Sequence, residues 1–365
     1  MKIAHLSSVH ADSDVRIFVK ECSSLAKAGH EVYYVVPNSE SRSLNGVQID
    51  SFQAAGRGRL KRMWKTVNEV YERALELDAD VYHLHDPELL RIAVKLKKKG
   101  KHVIYDSHED LPRQILAKEY LPKIVRKPLS SIVERIENKR VKKLSAVVAA
   151  TPFIRERFKK VNPNTVDVNN YPILEELIQD IDYLEKEEDS ICYVGGITEI
   201  RGILELIDAT EIADCKLILA GLFSPADLET RAKNKTGWKN VEYLGMVDRK
   251  EIANIYKRTK VGIVTLYPTI NYLDSLPIKM FEYMLAGLPV IASNFPYWKD
   301  IVEKNEAGIC VDPKDSKAIA EAILGLFKNP NKAKEMGEKG KAMVLEKFNW
   351  KNEEEKLLKM YDSLT

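Results

Sequence analysis

Several things are scarce in this sequence, and each scarcity excludes a class of protein. No run approaches the roughly 20 apolar residues that a bilayer-spanning helix needs. The N-terminal MKIAHLSSVHADSD turns polar too early for a signal peptide. The expectation is a cytoplasmic protein, with contact at a membrane surface left open. Cysteine is sparse: Cys22, Cys192, Cys215 and Cys310 are widely scattered, which fits reduced thiols better than a disulfide framework. Excess charge of one sign is also missing, with 57 Lys+Arg against 54 Asp+Glu, so net charge names no partner. No GxGxxG follows the first strand or appears in YVGGITEIRG, which sets aside an NAD-dependent dehydrogenase. There is no repeat at solenoid period and no low-complexity tract.

What the chain does contain is alternation. Its 365 residues suit two α/β domains better than one core. KIAHLSS, EVYYVVP, VYHLHD, HVIYDSH and AVVAAT read as strands in the first half, with amphipathic helical stretches between them. ICYVGG, CKLILAG, VEYLG, VGIVTL, PVIAS and GICVD form a second series. Such alternation predicts parallel sheets covered by helices on both faces. Expected boundaries are an N-terminal domain over 1–170, an acidic connection over 171–190, a C-terminal domain over 191–345, and a last helix over 346–365 packing back on the first domain. Two doubly wound halves imply strand ends facing each other across a cleft, where ligands of open α/β sheets bind.

The stretch YLDSLPIKMFEYMLAGLPVIAS carries Asp274, Ser275, Lys279 and Glu282 in a segment otherwise made to be buried. Burying such groups without partners is costly. Ser275 suits a helix N-cap and Pro277 a first turn, so the helix start offers free amides and a dipole to a phosphate. Lys279 adds positive charge one turn on. Glu282 lies close to the same face, where a carboxylate accepts from a ribose diol. The plainer alternative is a surface helix with a capping Ser and a snorkelling Lys.

This stretch resembles the donor helix of retaining glycosyltransferase family 4, of GT-B fold, in its bacterial surface-polysaccharide variant. Asp274 and Glu282 match the family's pair of acids, with Asp where the first Glu is usual. HLSSVHADSDVRIFVKECSSLAKAGHEV, VYHLHDPELL, VIYDSHEDLPRQIL, YVGGITEIRG and LGMVDRKEIANIY resemble its further elements in order. The resemblance implies two Rossmann-like domains, acceptor-binding then donor-binding, and no essential metal. It implies a nucleotide diphosphate sugar as co-substrate, UDP favoured over GDP, and a glycan or lipid-linked glycan acceptor. Glu282 is implied at the ribose, Asp274 and His108 at the donor sugar, and Met246 and Val247 near the base. The diphosphate falls to Gly195, Gly196, Arg201, Ser275 and Lys279. The family's usual Lys is Arg201 here, and its usual Arg is Gly196, a departure for which Lys279 is a partial replacement. His108, Asp274 and Arg201 are the expected catalytic residues, and Asp14, Arg16, His85 and Asp86 the acceptor-side candidates. Arg16 reads equally as a structural salt-bridge residue.

All seven histidines lie in the first half, and His83 and His85 share one strand face. A metal centre would need further ligands at fixed spacing, which PELL does not supply. Asp12/Asp14, Asp78/Asp80 and Asp180/Asp182 have the letters of a metal-binding Asp-x-Asp without its usual position at a strand end. RGRLKRMWKTVNEVYERALEL and LPKIVRKPLSSIVERIENKRVKKL are basic and amphipathic: peripheral contact with anionic membrane is one reading, a solvated face over a packed helix the other. Nucleic-acid binding is not expected. Rival readings are another nucleotide-sugar enzyme such as an epimerase, and a catalytically silent transferase-like scaffold.

Overall fold

The β-branched and aromatic runs become strands, and burial on both faces makes their pairing parallel. In the computed structural model, which describes residues 1–54, 62–118, 120–178 and 186–364, the chain divides into two units. The first comprises Met1–Asn170 with Lys351–Thr365, the second Tyr171–Trp350.

In the first unit the five expected strands form as β1 (Lys2–Leu6), β2 (Glu31–Pro37), β5 (Val81–Leu84), β6 (His102–Ser107) and β7 (Ala146–Ala149). Three more were not expected: β3 (Arg42–Leu44), β4 (Val47–Phe52) and β8 (Thr165–Asp167). The sheet order is β3-β4-β2-β1-β5-β6-β7-β8. Only the β3–β4 pairing is antiparallel. Asn45 and Gly46, both at positive φ, make that hairpin's two-residue turn. Asn-Gly is the commonest sequence signal for such a turn, so this hairpin was readable.

The second unit contains all six expected strands: β9 (Ser190–Val194), β10 (Lys216–Ala220), β11 (Val241–Gly245), β12 (Val261–Val264), β13 (Val290–Ser293) and β14 (Gly308–Val311). They pair in parallel in the order β11-β10-β9-β12-β13-β14. Each sheet therefore reverses its strand order once, between β1 and β5 and between β9 and β12. A crevice opens at the strand ends wherever the order reverses.

Tyr171 and Leu177 of the expected connection are buried in the second unit's core. Its Asp180 and Asp182 lie outside the described residues. So do residues 57–61 of the first basic stretch, which becomes helical from Arg62 to Leu77. The second basic stretch forms a helix over Lys123–Val141 with Pro128 inside it. Among the described residues no helix is long and apolar enough to cross a membrane. All four cysteines are free.

The last helix, Trp350–Asp362, completes the first unit. Glu353 accepts from the backbone N–H of Asn169 at 2.8 Å. The buried Tyr361 hydroxyl lies 2.8 Å from His83 Nδ1 and 3.4 Å from His5 Nε2. Tyr361→Phe strips both rings of that partner, and a buried polar group left unsatisfied costs about 1–3 kcal/mol. Thermal unfolding should therefore show the first unit melting several degrees lower. An unchanged transition would mean that the ring contacts alone hold this helix.

Candidate functional site

In the second unit the loop leaving β9 holds Gly195 and Gly196. Gly195 has φ +127, and a Cβ there would sit 2.8 Å from Lys279 Nζ. A Cβ on Gly196 would sit 3.1 Å from Arg201 Nη1. Arg201 donates to the Gly196 carbonyl at 2.9 Å, and so does the Tyr193 hydroxyl. Two cations thus lie against the two glycines, and the Arg201 guanidinium occupies the space beside the position where the family's Arg was looked for.

Lys279 is the exceptional member. It is buried, its Nζ lies 3.6 Å from the centre of the Tyr193 ring, and it has no hydrogen-bond partner. Burial, reinforced by Arg201, pushes its ammonium well below the ordinary lysine value. An anion placed there would supply the missing partner.

Lys279 rides on the helix Ile278–Leu285, whose N-cap is Pro277 with no side-chain cap. Ser275 is not the N-cap, contrary to expectation. Its hydroxyl donates back to Tyr272 O at 3.0 Å. Pro277 explains the later start: a proline biases the residue before it toward extended backbone, and Pro277 itself has ψ 122. Asp274 is exposed in the preceding turn. Glu282 is buried, with one oxygen accepting from Arg249 Nη1 at 2.8 Å and the other from Tyr256 OH at 2.9 Å. Arg249 also pairs with Glu176 at 2.8 Å. Met246 is 77% exposed beyond the end of β11, while Val247 packs against the core. Sequence reasoning missed Arg249 and Tyr256, which hold the Glu282 carboxylate in place.

The first unit's crevice is built differently. Asp106, at the end of β6, accepts from Arg16 Nε at 2.9 Å and Nη2 at 2.8 Å. His108 Nε2 lies 2.9 Å and His85 Nδ1 3.3 Å from the same carboxylate. Despite burial, Arg16 and His108 hold this carboxyl well below the usual carboxylate range. Arg16, an acceptor-side candidate, turns inward instead, since a buried carboxylate needs its fork and Val168 O takes a third N–H at 2.7 Å. His85 and Asp86 are buried too. His85 Nε2 lies 2.9 Å from His5 Nδ1. Asp86 accepts from Ser7 Oγ at 2.9 Å and from the Ser8 amide at 2.6 Å. What faces solvent is the trio His10, Asp14 and His108. Asp14 caps the helix from Val15, accepting from Arg16 N and Ile17 N, and lies 3.0 Å from His10 Nδ1. His10 was counted among the seven histidines but not singled out as a site residue, although it stands four residues before Asp14.

Of the Asp-x-Asp pairs, the two within the described residues are occupied locally: Asp12 pairs with Arg42, Asp78 with Lys101, and Asp80 accepts from Lys2 N. Among the described residues, two groups bring metal-ligand atoms within 4.8 Å of one another: His5, Glu21, His83 and His85, and His85, Asp106 and His108. Hydrogen bonds account for the short contacts of the second group and for His5–His85 in the first, where both Glu21 oxygens and His83 Nε2 have no hydrogen-bond partner.

Family models match most of the chain: "Glycosyltransferase Family 4" over residues 16–169 and "Glycosyl transferases group 1" over 176–343. D-rhamnosyltransferase WbpZ of Pseudomonas aeruginosa is 23% identical over 290 residues, covering 76% of this chain and 71% of the relative. Two uncharacterized glycosyltransferases of Methanocaldococcus jannaschii match over 46% of their own length. Sucrose-phosphate synthase from Thermosynechococcus elongatus superposes with a TM-score of 0.80 at 19% identity, covering 100% of this chain and 98% of that one. Anabaena HepE in complex with UDP-glucose gives 0.76 at 16% identity, covering 100% of both chains. At these identities the structures establish the shared fold.

The trio in the first unit makes a pH prediction. Burial alone would lower the His10 imidazole, but the Asp14 hydrogen bond and the charge of Asp86 outweigh it and raise it. Asp14 is held low, its burial outweighed by His10 and the Ile17 amide. The His10 contribution is therefore full below about pH 6.5 and fades as pH rises through its higher folded value, while Asp14 stays ionised throughout. A double-mutant cycle with His10→Gln and Asp14→Asn should give a coupling of about 1 kcal/mol at pH 5.5 and much less at pH 9. Equal coupling at both pH values would show that no charge on His10 is involved.

Proposed function

The chain belongs to glycosyltransferase family 4, and from that premise we propose that it transfers a glycosyl group, with retention at the anomeric carbon, from a nucleotide diphosphate sugar to a growing, lipid-linked surface glycan. The observation that carries this reading is Lys279: a buried ammonium without a hydrogen-bond partner, beside Arg201 and at an uncapped helix start. That arrangement suits a diphosphate. As the sugar leaves, negative charge grows on the diphosphate, and preorganised cations and amides stabilise it at that moment. In this proposal they replace a divalent ion.

Glu282 is assigned to the ribose hydroxyls. Arg249 and Tyr256 fix its orientation and leave acceptor capacity on each oxygen. Asp274 and His108 are assigned to the donor sugar and the loop at Gly245, Met246 and Val247 to the base. The acceptor hydroxyl attacks on the face from which the diphosphate departs, so no carboxylate nucleophile is nominated. The first unit is assigned to the acceptor, with Asp14 at its solvent-facing edge. A uridine base is favoured, and the UDP-glucose bound by HepE supports that choice for a protein of the same fold.

Calorimetric titration of UDP, GDP and ADP in EDTA tests the reading. One diphosphate, UDP by preference, should bind without metal. Lys279→Met, which keeps the side chain's bulk, should weaken it at least tenfold, about 1.4 kcal/mol or more, and Glu282→Ala similarly. Binding that ignores both substitutions would move the donor site elsewhere. Binding that vanishes in EDTA and returns with Mg²⁺ would remove the metal-free mechanism.

A further inference from the structure

We propose that the first unit carries a second site, a hydrocarbon-chain pocket with a cationic mouth that receives the lipid part of a phosphate-bearing amphiphile. The cavity has a volume of about 550 Å³, and every residue lining it lies between Trp64 and Arg140. Leu90, Leu111, Leu129, Val133 and Ile136 make its apolar walls. The volume is within the range of small-molecule pockets. Walls of this composition offer nothing to a base, a ribose or a sugar, whose hydroxyls would go unpaired there.

Charge at the mouth narrows the occupant. Arg91, Lys118 and Arg140 all face the pocket. Arg91 stacks on Trp64, 4.4 Å from the ring centre, and donates to Asn68 at 2.7 Å. Lys118 lies 6.0 Å from the centre of the Tyr120 ring. Among the described residues neither Lys118 nor Arg140 forms an ion pair. Burial and the neighbouring Arg91 both lower the Arg140 guanidinium. The two acids at the pocket are engaged elsewhere. Glu137 pairs with Arg157 and is pushed up to about 7, chiefly by burial. Glu88 accepts from Ser8 Oγ at 3.1 Å. An anion at the mouth therefore meets Lys118 and Arg140, which have no ion-pair partner among the described residues, whereas a neutral lipid would leave them as they are.

The surroundings favour a chain arriving from a lipid surface. The helix Lys123–Val141, which supplies three of the five wall residues, exposes Ile124 at 85% and also Val125 and Ile132. Trp64 and Tyr120 at the pocket are exposed as well. Exposed apolar groups among lysines and arginines are the composition of an interfacial helix. Naming the amphiphile as the acceptor rests on the transferase reading; the pocket itself does not.

The test uses the whole chain and calorimetry with dodecyl phosphate below its micellar concentration, against dodecanol and inorganic phosphate. Dodecyl phosphate should bind, dodecanol at least tenfold more weakly, and inorganic phosphate not measurably at the same concentration. Val133→Trp, which fills the cavity, should weaken dodecyl phosphate at least tenfold, and Arg140→Gln several-fold, with UDP affinity unchanged in both. Should Val133→Trp fail to fold, Leu129→Gln provides the second perturbation of the wall. Unaltered binding in folded wall variants, or inorganic phosphate binding as well as dodecyl phosphate, would overturn the pocket. Loss of UDP binding with dodecyl phosphate retained would instead overturn the transferase reading alone.

Discussion

The constraint on which most of this structure depends is that a parallel strand cannot be followed directly by its neighbour. Each return needs a crossover, and crossovers of one hand force the chain to the other side of its first strand when the sheet grows in both directions. At β1/β5 and at β9/β12 the helices leave on opposite sides, and the strand ends between them stay uncovered. Nearly all the polar chemistry described above sits at those two places. Ser7, Ser8, His85, Asp86 and His108 follow β1, β5 and β6, while Gly195 and Gly196 follow β9.

The two crevices solve desolvation in opposite ways. In the first unit, buried charge is answered from within: Arg16 forks onto Asp106, two histidines complete the carboxylate's shell, and serines cover Asp86. Around Asp106 and Asp86 that network uses most of the carboxylates' capacity, while both Glu21 oxygens and His83 Nε2 beside it have no hydrogen-bond partner. In the second unit the cation at Lys279 is left unanswered. Burying an ammonium without a hydrogen-bond partner is costly, a cost that a bound anion would remove.

How much of this was legible follows from the range of the forces involved. Strand positions were readable because a strand buried on both faces is continuously apolar, and all six of the second unit appear where VGIVTL-like runs stand. The β3–β4 hairpin was missed although Asn45-Gly46 announces it, because β3 is a short exposed edge strand and β4 mixes polar with apolar residues. The helix start at Ile278 was misplaced by two residues, the local effect of Pro277 on its predecessor having been given less weight than the capping habit of Ser275. Glu282 and Lys279 stood out as polar letters in an apolar stretch. Their partners Arg249, Tyr256 and Tyr193 come from distant segments, and no spacing rule reaches them. The inward turn of Arg16 is of the same kind, since Asp106 lies ninety residues on.

The chain path has a further meaning for how this molecule is made. The last helix belongs to the first unit, and Tyr361 closes over His5 and His83 only after the second unit has been synthesised. On a ribosome, where synthesis runs from the N-terminus, the second unit possesses all its strands and helices before the first acquires its final one. Domains generally fold as units during synthesis, the N-terminal one first; here that order is inverted for the finished core. The first unit must wait, its His5 and His83 without their Tyr361 partner, while the unit inserted into it folds.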